Sequence, residues 1–416
     1  KYKPSQYVYW NNLALQYRKQ DKYPQAIKAL EQAIAMEPAP QILLNLGSTY
    51  GELNNIEKAV ECYIRAVEVA PEYPPGHVHI GFGHFLGGNW AKGFEEYEWR
   101  FDYYPQMVYY KREYDQSKRW QGESLEGKRL LIYCEQGMGD ALQFVRYTED
   151  LKRQGATVMV HCAVTLNRLF ERIPSVDRVV NRDIVNGVGD PFPEYDYQCA
   201  IMSLPHLLKN YEISGKPYLR PATDKFRDHI QQEYPDRFRV GLVWAGSPAH
   251  PQDQRRSIYL KHFRELQGVP GVQLFSLQLD VRKRKYGSIT QPEAGIQNLK
   301  LFAGGQGVVD YCEDADDIKM VDLTHMIQDF EDTATILAGL DLLICCDTAV
   351  LHLAGALGVP CWALIPYNPD WRWGLHGEST VWYDSVRLFR QEQKDDWETV
   401  LRRVKDELHK AVLQNQ

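Results

Sequence analysis

The stretch that decides the fold is DLLICCDTAVLHLAGALGVPCWALI, residues 341–365. It contains few charged or histidine side chains: Asp341, Asp347 and His352. A hydropathy scan could therefore take it for a membrane helix. Gly358 and Pro360, however, interrupt it at spacings too short for a span. Because parallel strands read as continuous apolar runs, the stretch predicts a buried strand, a helix from about Thr348 to Gly358, and a second buried strand.

The same alternation of strand and helix extends outward from this stretch. A polar segment with several prolines, residues 209–235, divides the alternation into two series and predicts a linker. Two series of this kind predict two parallel, Rossmann-like sheets with a cleft, and ligands bind at the carboxyl ends of such strands. The predicted strands are 129–134, 157–162, 179–180, 197–202, 240–244, 272–277, 320–323, 342–345 and 361–365.

The N-terminal hundred residues follow a different pattern, a repeat of 33 residues. Small and large residues recur at fixed places: Leu13, Ala14, Tyr17, Ala26, Leu30, Ala33 and Pro38 return as Leu46, Gly47, Tyr50, Ala59, Tyr63, Ala66 and Pro71. Small residues let two antiparallel helices approach closely, and proline ends the second helix. The pattern resembles the tetratricopeptide repeat, with two clear units and a degenerate third. The aromatic segment after Trp90 is expected to dock the array onto the next domain.

Composition sets limits on function. The 416 residues carry a formal charge of −7, which argues against general binding to nucleic acid or anionic membranes. Eight cysteines without a CxxC pair favour reduced, buried thiols over a disulfide scaffold or zinc ribbon. No apolar segment follows Lys1, so we expect no signal peptide and a cytoplasmic protein without a transmembrane segment.

The first turn that could carry chemistry is Gly137-Met138-Gly139-Asp140, between the strand at 129–134 and an amphipathic helix expected over 141–154. It is not a dinucleotide fingerprint, because the third glycine of GxGxxG is replaced by Leu142. Two interpretations of Asp140 are open: an N-cap of the helix, or a general base that faces the cleft.

The second turn is Asp347-Thr348. A threonine and free amides at a helix start suit a phosphate, whereas Asp347 would repel one and is expected to orient amides or a ribose. His352 fits a buried core or supporting position.

The third turn is Trp244-Ala245-Gly246-Ser247, followed by Arg255-Arg256. Adjacent arginines after a Gly-Ser turn suit an anionic ligand, although a solvated loop gives the same pattern. The acidic run at residues 314–317 is read as a solvated loop and not a metal site.

From about Gly127 to its end, the chain resembles glycosyltransferases of the GT-B fold related to lipopolysaccharide heptosyltransferases, in particular bacterial proteins that fuse a tetratricopeptide array to such a domain. The matching motifs, in order, are Gly139-Asp140, VGLVWAGSP (240–248), RRSI (255–258), FSLQ (275–278), DLT (322–324), DTAVLHLAGALGVP (347–360) and PDWRW (369–373). The resemblance implies a GT-B fold, two Rossmann-like domains that face each other across a cleft, preceded by an all-α repeat array. The half at about 127–215 is short for a heptosyltransferase, so the acceptor cannot be carried over.

The resemblance also implies roles for individual residues. Asp140 matches an aspartate that acts as base on the acceptor hydroxyl, and Arg256 matches a basic residue that neutralises the leaving diphosphate. The residues expected to bind the donor are Gly139, Trp244, Gly246, Ser247, Arg256, Gln278, Asp322, Thr324, Asp347, Thr348 and His352.

We therefore predict three domains: a repeat array at 1–110, an acceptor-side domain at 111–218, and a domain at 219–416 that binds a nucleotide sugar. The predicted function is a metal-independent, inverting glycosyltransferase without a cofactor. Its acceptor could be a protein or peptide recruited by the repeats, as analogy suggests. Two alternatives stay open: a non-catalytic scaffold, and a nucleotide-sugar epimerase.

Overall fold

The computed structural model describes residues 6–181, 192–248, 250–279, 315 and 317–414. The chain forms two compact units. The helical unit comprises residues 1–119 together with two short later segments, 205–211 and 368–375. The second unit comprises residues 120–204, 212–367 and 376–416.

The helical unit begins with pairs of helices in which each helix contacts the next. Proline in the first turn starts several of them, since its fixed φ suits that position. Asn55 and Asn89 cap two others by accepting hydrogen bonds from Lys58 N and Lys92 N. The helices are α1 (Gln6–Lys19), α2 (Tyr23–Met36), α3 (Pro40–Glu52), α4 (Ile56–Val69), α5 (Pro74–Leu86), α6 (Trp90–Tyr97), α7 (Arg100–Tyr103) and α8 (Pro105–Glu113).

The helix pairs pack as the repeat pattern predicts. Ala14, Ala26 and Ala33 are fully buried. A Cβ atom on Gly47 would lie 2.4 Å from the ring of Tyr63, so only glycine fits beside that ring. The small and large positions of the repeat are therefore the contact surfaces between helices, which confirms that prediction.

The two later segments of the helical unit pack against helices α3, α5 and α6. Trp371 stacks on Phe85 at a centroid distance of 4.3 Å. Tyr211 lies over Phe94 at 6.5 Å. The Asn368 side-chain amide donates to the carbonyls of residues 51 and 52 at 3.1 and 3.2 Å. Chain segments distant in sequence thus complete the core of this unit.

The second unit contains two parallel sheets. The first has strand order β3-β2-β1-β4, and the second has order β10-β9-β8-β5-β6-β7. All their named pairings are parallel. The strands are β1 (Arg129–Tyr133), β2 (Thr157–Cys162), β3 (Arg178–Asn181), β4 (Tyr197–Ala200), β5 (Phe238–Val243), β6 (Val272–Ser276), β7 (Val321–Asp322), β8 (Leu342–Cys346), β9 (Cys361–Ile365) and β10 (Val386–Arg390).

Helices connect and cover these strands. The helices are α9 (Met138–Phe144), α10 (Thr148–Arg153), α11 (Val164–Phe170), α12 (Leu204–Leu208), α13 (Lys225–Glu233), α14 (Asp253–Arg256), α15 (Phe330–Leu337), α16 (Ala349–Leu357) and α17 (Trp397–Gln414). The stretch at 341–365 is β8, α16 and β9, as predicted. Among the described residues, no helix combines the length and the apolarity that a membrane crossing needs. The architecture is helical repeats followed by two parallel sheets with their helices, as the predicted fold class requires.

The structure differs from the sequence prediction in two places. The helix expected over 141–154 is divided by a 3-10 turn at Val145–Tyr147. There, Thr148 Oγ1 donates to the Val145 carbonyl at 2.7 Å and competes with the helical pattern. Strand β10 was missed because Arg387 and Arg390 give it a polar sequence, and it lies at the sheet edge. The predicted domain boundaries stay predictions, and residues 314 and 316 of the acidic run at 314–317 lie outside the described residues.

Candidate functional site

The predicted donor residues follow strands of the second sheet that end at the same edge. Trp244 to Ser247 follow β5, Gln278 follows β6, and Asp347 with Thr348 follow β8. Because β8, β5 and β6 are neighbours in a parallel sheet, these three turns lie side by side.

Thr348 occupies the N-cap of α16 with extended backbone, φ −144° and ψ 172°. The residue is only 9% exposed. Its hydroxyl makes no capping bond, and no hydrogen-bond partner for Oγ1 lies within the part of the chain that the structure describes. A buried, unsatisfied hydroxyl at a helix start costs free energy, since native proteins pair nearly all such groups. The hydroxyl and the adjacent amides are therefore placed to receive an anion.

Arg256 lies beside this helix start. Its Nη1 donates to the Asp347 carbonyl at 3.0 Å, and its side chain is 16% exposed. The guanidinium passes so close to Gly246 that a Cβ there would lie 2.6 Å from Nη2. A glycine in the β5 turn thus makes room for a mostly buried positive charge beside the start of α16.

The turn after β5 is held by two polar side chains. Gln278 Oε1 accepts from Trp244 N and Ala245 N at 3.0 and 2.8 Å, and its Nε2 donates to the Ala245 carbonyl. Ser257 Oγ accepts from Gly246 N at 2.9 Å and donates to Asp253 Oδ1 at 2.8 Å. The Gln278 amide therefore holds the shape of this turn. Its expected contact with the donor stays a prediction.

The remaining predicted donor residues lie at the margin of the site. Asp322 Oδ1 accepts from the backbone and hydroxyl of Thr324 at 2.9 and 2.6 Å, which forms a local turn after β7. Strand β7 is the edge strand, two positions beyond β5. Ser247 is exposed, and its carbonyl accepts from His250 N.

Asp140 is the third residue of α9, and Gly137 occupies the N-cap. The N-cap interpretation of Asp140 is therefore wrong, because the turn of α9 begins three residues earlier. Asp140 Oδ2 accepts from Gly137 N at 2.9 Å. This is half of a capping box, since glycine has no side chain to return the bond. The carboxylate is partly exposed.

A close contact at Gly139 joins α9, the helix of Asp140, to α16. A Cβ on Gly139 would lie 2.9 Å from His352 Cδ2 and 3.6 Å from the Cα of Ala349, the first residue of α16. Helix α9 follows the first sheet and α16 belongs to the second, so this contact joins the two halves. His352 is buried, with Nδ1 3.0 Å from Tyr383 Oη. The predicted base and the predicted phosphate site are thus adjacent.

Sequence reasoning missed several residues of the site. Ser257 and Asp253 support the β5 turn, and Arg146 and Tyr383 lie behind the contact between α9 and α16. Ser257 belongs to the quoted RRSI motif, so a signal was present there. Tyr383 follows no motif, and only the folded chain brings it to His352.

The described residues contain no cluster of metal ligands, and their cysteines are buried. No group of three or more histidine, cysteine or acidic side chains in that part of the chain could hold a metal ion. The seven described cysteines are all buried. Burial raises the pKa of the Cys345 and Cys346 thiols, which disfavours the reactive thiolate.

Comparisons with known proteins confirm the repeats predicted for the helical unit. The family model of the tetratricopeptide repeat matches residues 7–40 and again residues 40–73. These residues are therefore tetratricopeptide repeats. The TPR domain of Sgt2 from Aspergillus fumigatus is similar, with 24% identity over 24% of this chain and 66% of that chain, and a TM-score of 0.23.

Two further proteins are similar over more of the chain. Protein FlbA of Caulobacter vibrioides is 26% identical over 450 residues, which cover 95% of this chain and 71% of FlbA. The crystal structure of the glycosyl transferase family 9 from Veillonella parvula covers 71% of this chain and 100% of its own, with 13% identity and a TM-score of 0.44.

Proposed function

We propose that this protein is an inverting glycosyltransferase that uses a nucleotide sugar. The observation that carries the proposal is the buried, unpartnered hydroxyl of Thr348 at the start of α16, with Arg256 on one side and Asp140 close by. An anion-binding helix start beside a carboxylate suits the breaking of a bond to a diphosphate. The motif order described above supports the same assignment.

In this proposal the donor diphosphate binds at the helix start, where Thr348 and the amides of α16 donate to it. Arg256 neutralises the charge that develops as the bond from the anomeric carbon to the diphosphate breaks. Asp140 accepts the proton of the acceptor hydroxyl while the new bond to the anomeric carbon forms on the opposite face. The helix start and Arg256 supply the positive charge that a metal ion supplies in other transferases, so we propose that no metal is required.

We further propose that the repeats recruit a protein or peptide acceptor and that the protein works in the cytoplasm. Repeat arrays bury their core by stacking and leave a concave face for partners. Eight cysteines without a CxxC pair are consistent with a reducing compartment.

The experiment is incubation of the full chain with UDP-, GDP-, ADP- and dTDP-linked sugars, with free nucleotide and sugar isomers followed over time. The proposal expects one nucleotide class to give slow release of free nucleotide in water and faster release with acceptor. Isomerised donor without nucleotide release would indicate an epimerase. Neither binding nor turnover with any donor would indicate a scaffold.

A further inference from the structure

Arg146 is a partly buried cation that the proposed chemistry does not use. It lies in the 3-10 turn directly after α9, six residues beyond Asp140. We propose that Arg146 is a positioning residue: it fixes α9 against the donor half and so holds Asp140 in place for catalysis. This inference rests on the proposed function.

The guanidinium is bonded almost entirely to groups outside its own helix. Nη1 donates to the carbonyls of Ser214 and Trp382 at 2.9 and 3.3 Å. Nη2 donates to Tyr218 Oη at 3.2 Å and again to the Trp382 carbonyl at 3.3 Å. Only Nε bonds locally, to the Gln143 carbonyl at 2.9 Å.

Three aromatic rings surround the same charge. Its carbon Cζ lies 4.4 Å from the ring centre of Tyr218, 5.6 Å from that of Trp382, and 5.1 Å from that of Tyr383. In the described part of the chain, no carboxylate forms an ion pair with Arg146. Even partial removal of a charge from water costs free energy when no counter-ion is present, and neutral residues of similar volume often give more stability. The arrangement therefore points to a geometric role beyond stability alone.

The contacts of Arg146 lead directly to the donor helix. Tyr383 Oη bonds His352 Nδ1 on α16, and a Cβ on Gly355 of that helix would lie 2.3 Å from the Tyr383 ring. Tyr218 Oη donates to the Leu142 carbonyl of α9 at 2.8 Å. The backbone amide of Tyr218 donates to the Ala356 carbonyl of α16 at 2.9 Å.

Arg146 thus adds a second connection between the two helices that carry the proposed chemistry, α9 and α16. At one end, α9 holds Asp140 and touches His352 through Gly139. Beyond the other end of α9, Arg146 donates hydrogen bonds to Tyr218 and Trp382, in the segments that pack on α16. Guanidinium has five donors in a rigid fork, and an ammonium cannot reach the same four acceptors. Loss of the fork lets α9 shift, and a displacement of about 1 Å at a reacting group can reduce a rate by about 10²-fold.

The test is a double-mutant cycle on the full chain with Arg146→Lys and Asp140→Asn. Nucleotide release is measured for the sugar donor, among the UDP, GDP, ADP and dTDP classes, that the wild type hydrolyses fastest. We expect Arg146→Lys to lower kcat by about 30- to 100-fold with the donor KM within about twofold, since Thr348 and Arg256 are untouched. In the Asp140→Asn background, the same change should lower kcat by less than about threefold, because the group that it positions is already gone.

The matched control is Arg153→Lys, an exposed arginine of the next helix whose partner is Asp150. It should leave kcat, KM and melting temperature unchanged. If the losses in kcat from Arg146→Lys and Asp140→Asn multiply, or if the donor KM rises while kcat falls, Arg146 has a structural role. The inference is then overturned while the proposed function stands. A wild-type chain that turns over no donor overturns both.

Discussion

At the scale of single residues, Thr348→Val is predicted to lower nucleotide affinity without lowering the stability of the free protein. Thr348→Val removes a buried hydroxyl that has no partner, so the free protein should be as stable as the wild type or more stable. The same change removes a donor to the diphosphate, and nucleotide affinity should fall by about tenfold to a hundredfold, which corresponds to about 1.5–3 kcal/mol. Thermal melting and calorimetric titration of the best nucleotide measure the two effects.

Thr333→Val is the matched control for Thr348. Thr333 is also buried near a helix start, but its Oγ1 donates to the Asp329 carbonyl at 3.0 Å. That variant should melt earlier and bind nucleotide normally. If Thr348→Val melts earlier and binds normally as well, the diphosphate lies elsewhere.

The sequence predicted which turns lie together, but not their contacts. Thr348 and Arg256 were assigned to one anion, and the structure brings Arg256 to the carbonyl of Asp347, the residue before Thr348. Their binding of an anion stays a prediction. The use of Gln278 by the β5 turn could not be foreseen, because its partners are backbone amides 33 and 34 residues away. Arg146 was missed for a similar reason, since an arginine in an amphipathic helix is usually exposed.

At the scale of elements, the β5 turn is predicted to work through the space that Gly246 leaves. Gly246→Ala places a methyl group 2.6 Å from the Arg256 guanidinium and must displace it. Nucleotide affinity should therefore fall by about tenfold, a loss similar to that of the charge-assisted contact itself. The measurement is calorimetric titration with the nucleotide used for Thr348.

Gly268→Ala is the control for this change, because a Cβ on Gly268 would meet nothing within 4 Å. It should bind nucleotide as the wild type does. Equal affinity in Gly246→Ala and Gly268→Ala would show that the position of Arg256 does not matter for nucleotide binding.

Elements with a strong periodic pattern were predicted closely, and those shaped by tertiary contacts were not. Strands β2 and β9 have the predicted bounds, because a buried parallel strand needs an unbroken apolar run. Strand β10 carries charges that pair outside the sheet, as when Arg387 binds Glu378 and Glu407, so its sequence resembles a loop. Pairs of that kind become visible only after folding.

At the scale of the whole molecule, the helical unit depends on a segment from late in the chain. Trp371 is buried against Phe85, and we expect Trp371→Ala to destabilise this unit by about 3–5 kcal/mol. Amide hydrogen exchange in α5 and α6 measures the effect locally and should quicken by about two to four orders of magnitude. Val381→Ala, at a side chain 54% exposed, is the control. Unchanged protection in α5 would mean that the repeats form their core without residues 368–375.

The repeats are predicted to serve the acceptor and not the donor. A chain without residues 1–37 loses the first helix pair but keeps the carbonyls of Gly51 and Glu52 that bind Asn368. It should release nucleotide from the donor in water at the wild-type rate. Transfer of labelled sugar to protein acceptors should fall at least tenfold, because a shortened array offers less concave surface. Full transfer by the shortened chain would make the array a structural arm.

The central claim, that Asp140 accepts a proton beside a bound nucleotide sugar, is tested most directly by the turnover of Asp140→Asn. Asparagine can still accept the bond from Gly137 N that Asp140 accepts at 2.9 Å, so α9 should keep its start and its stability. Melting temperature and donor affinity serve as controls and should match the wild type. We expect kcat to fall by about 10²–10⁴-fold, the usual contribution of a general base. A stable Asp140→Asn chain that binds the donor and turns it over at the wild-type rate would contradict the mechanism.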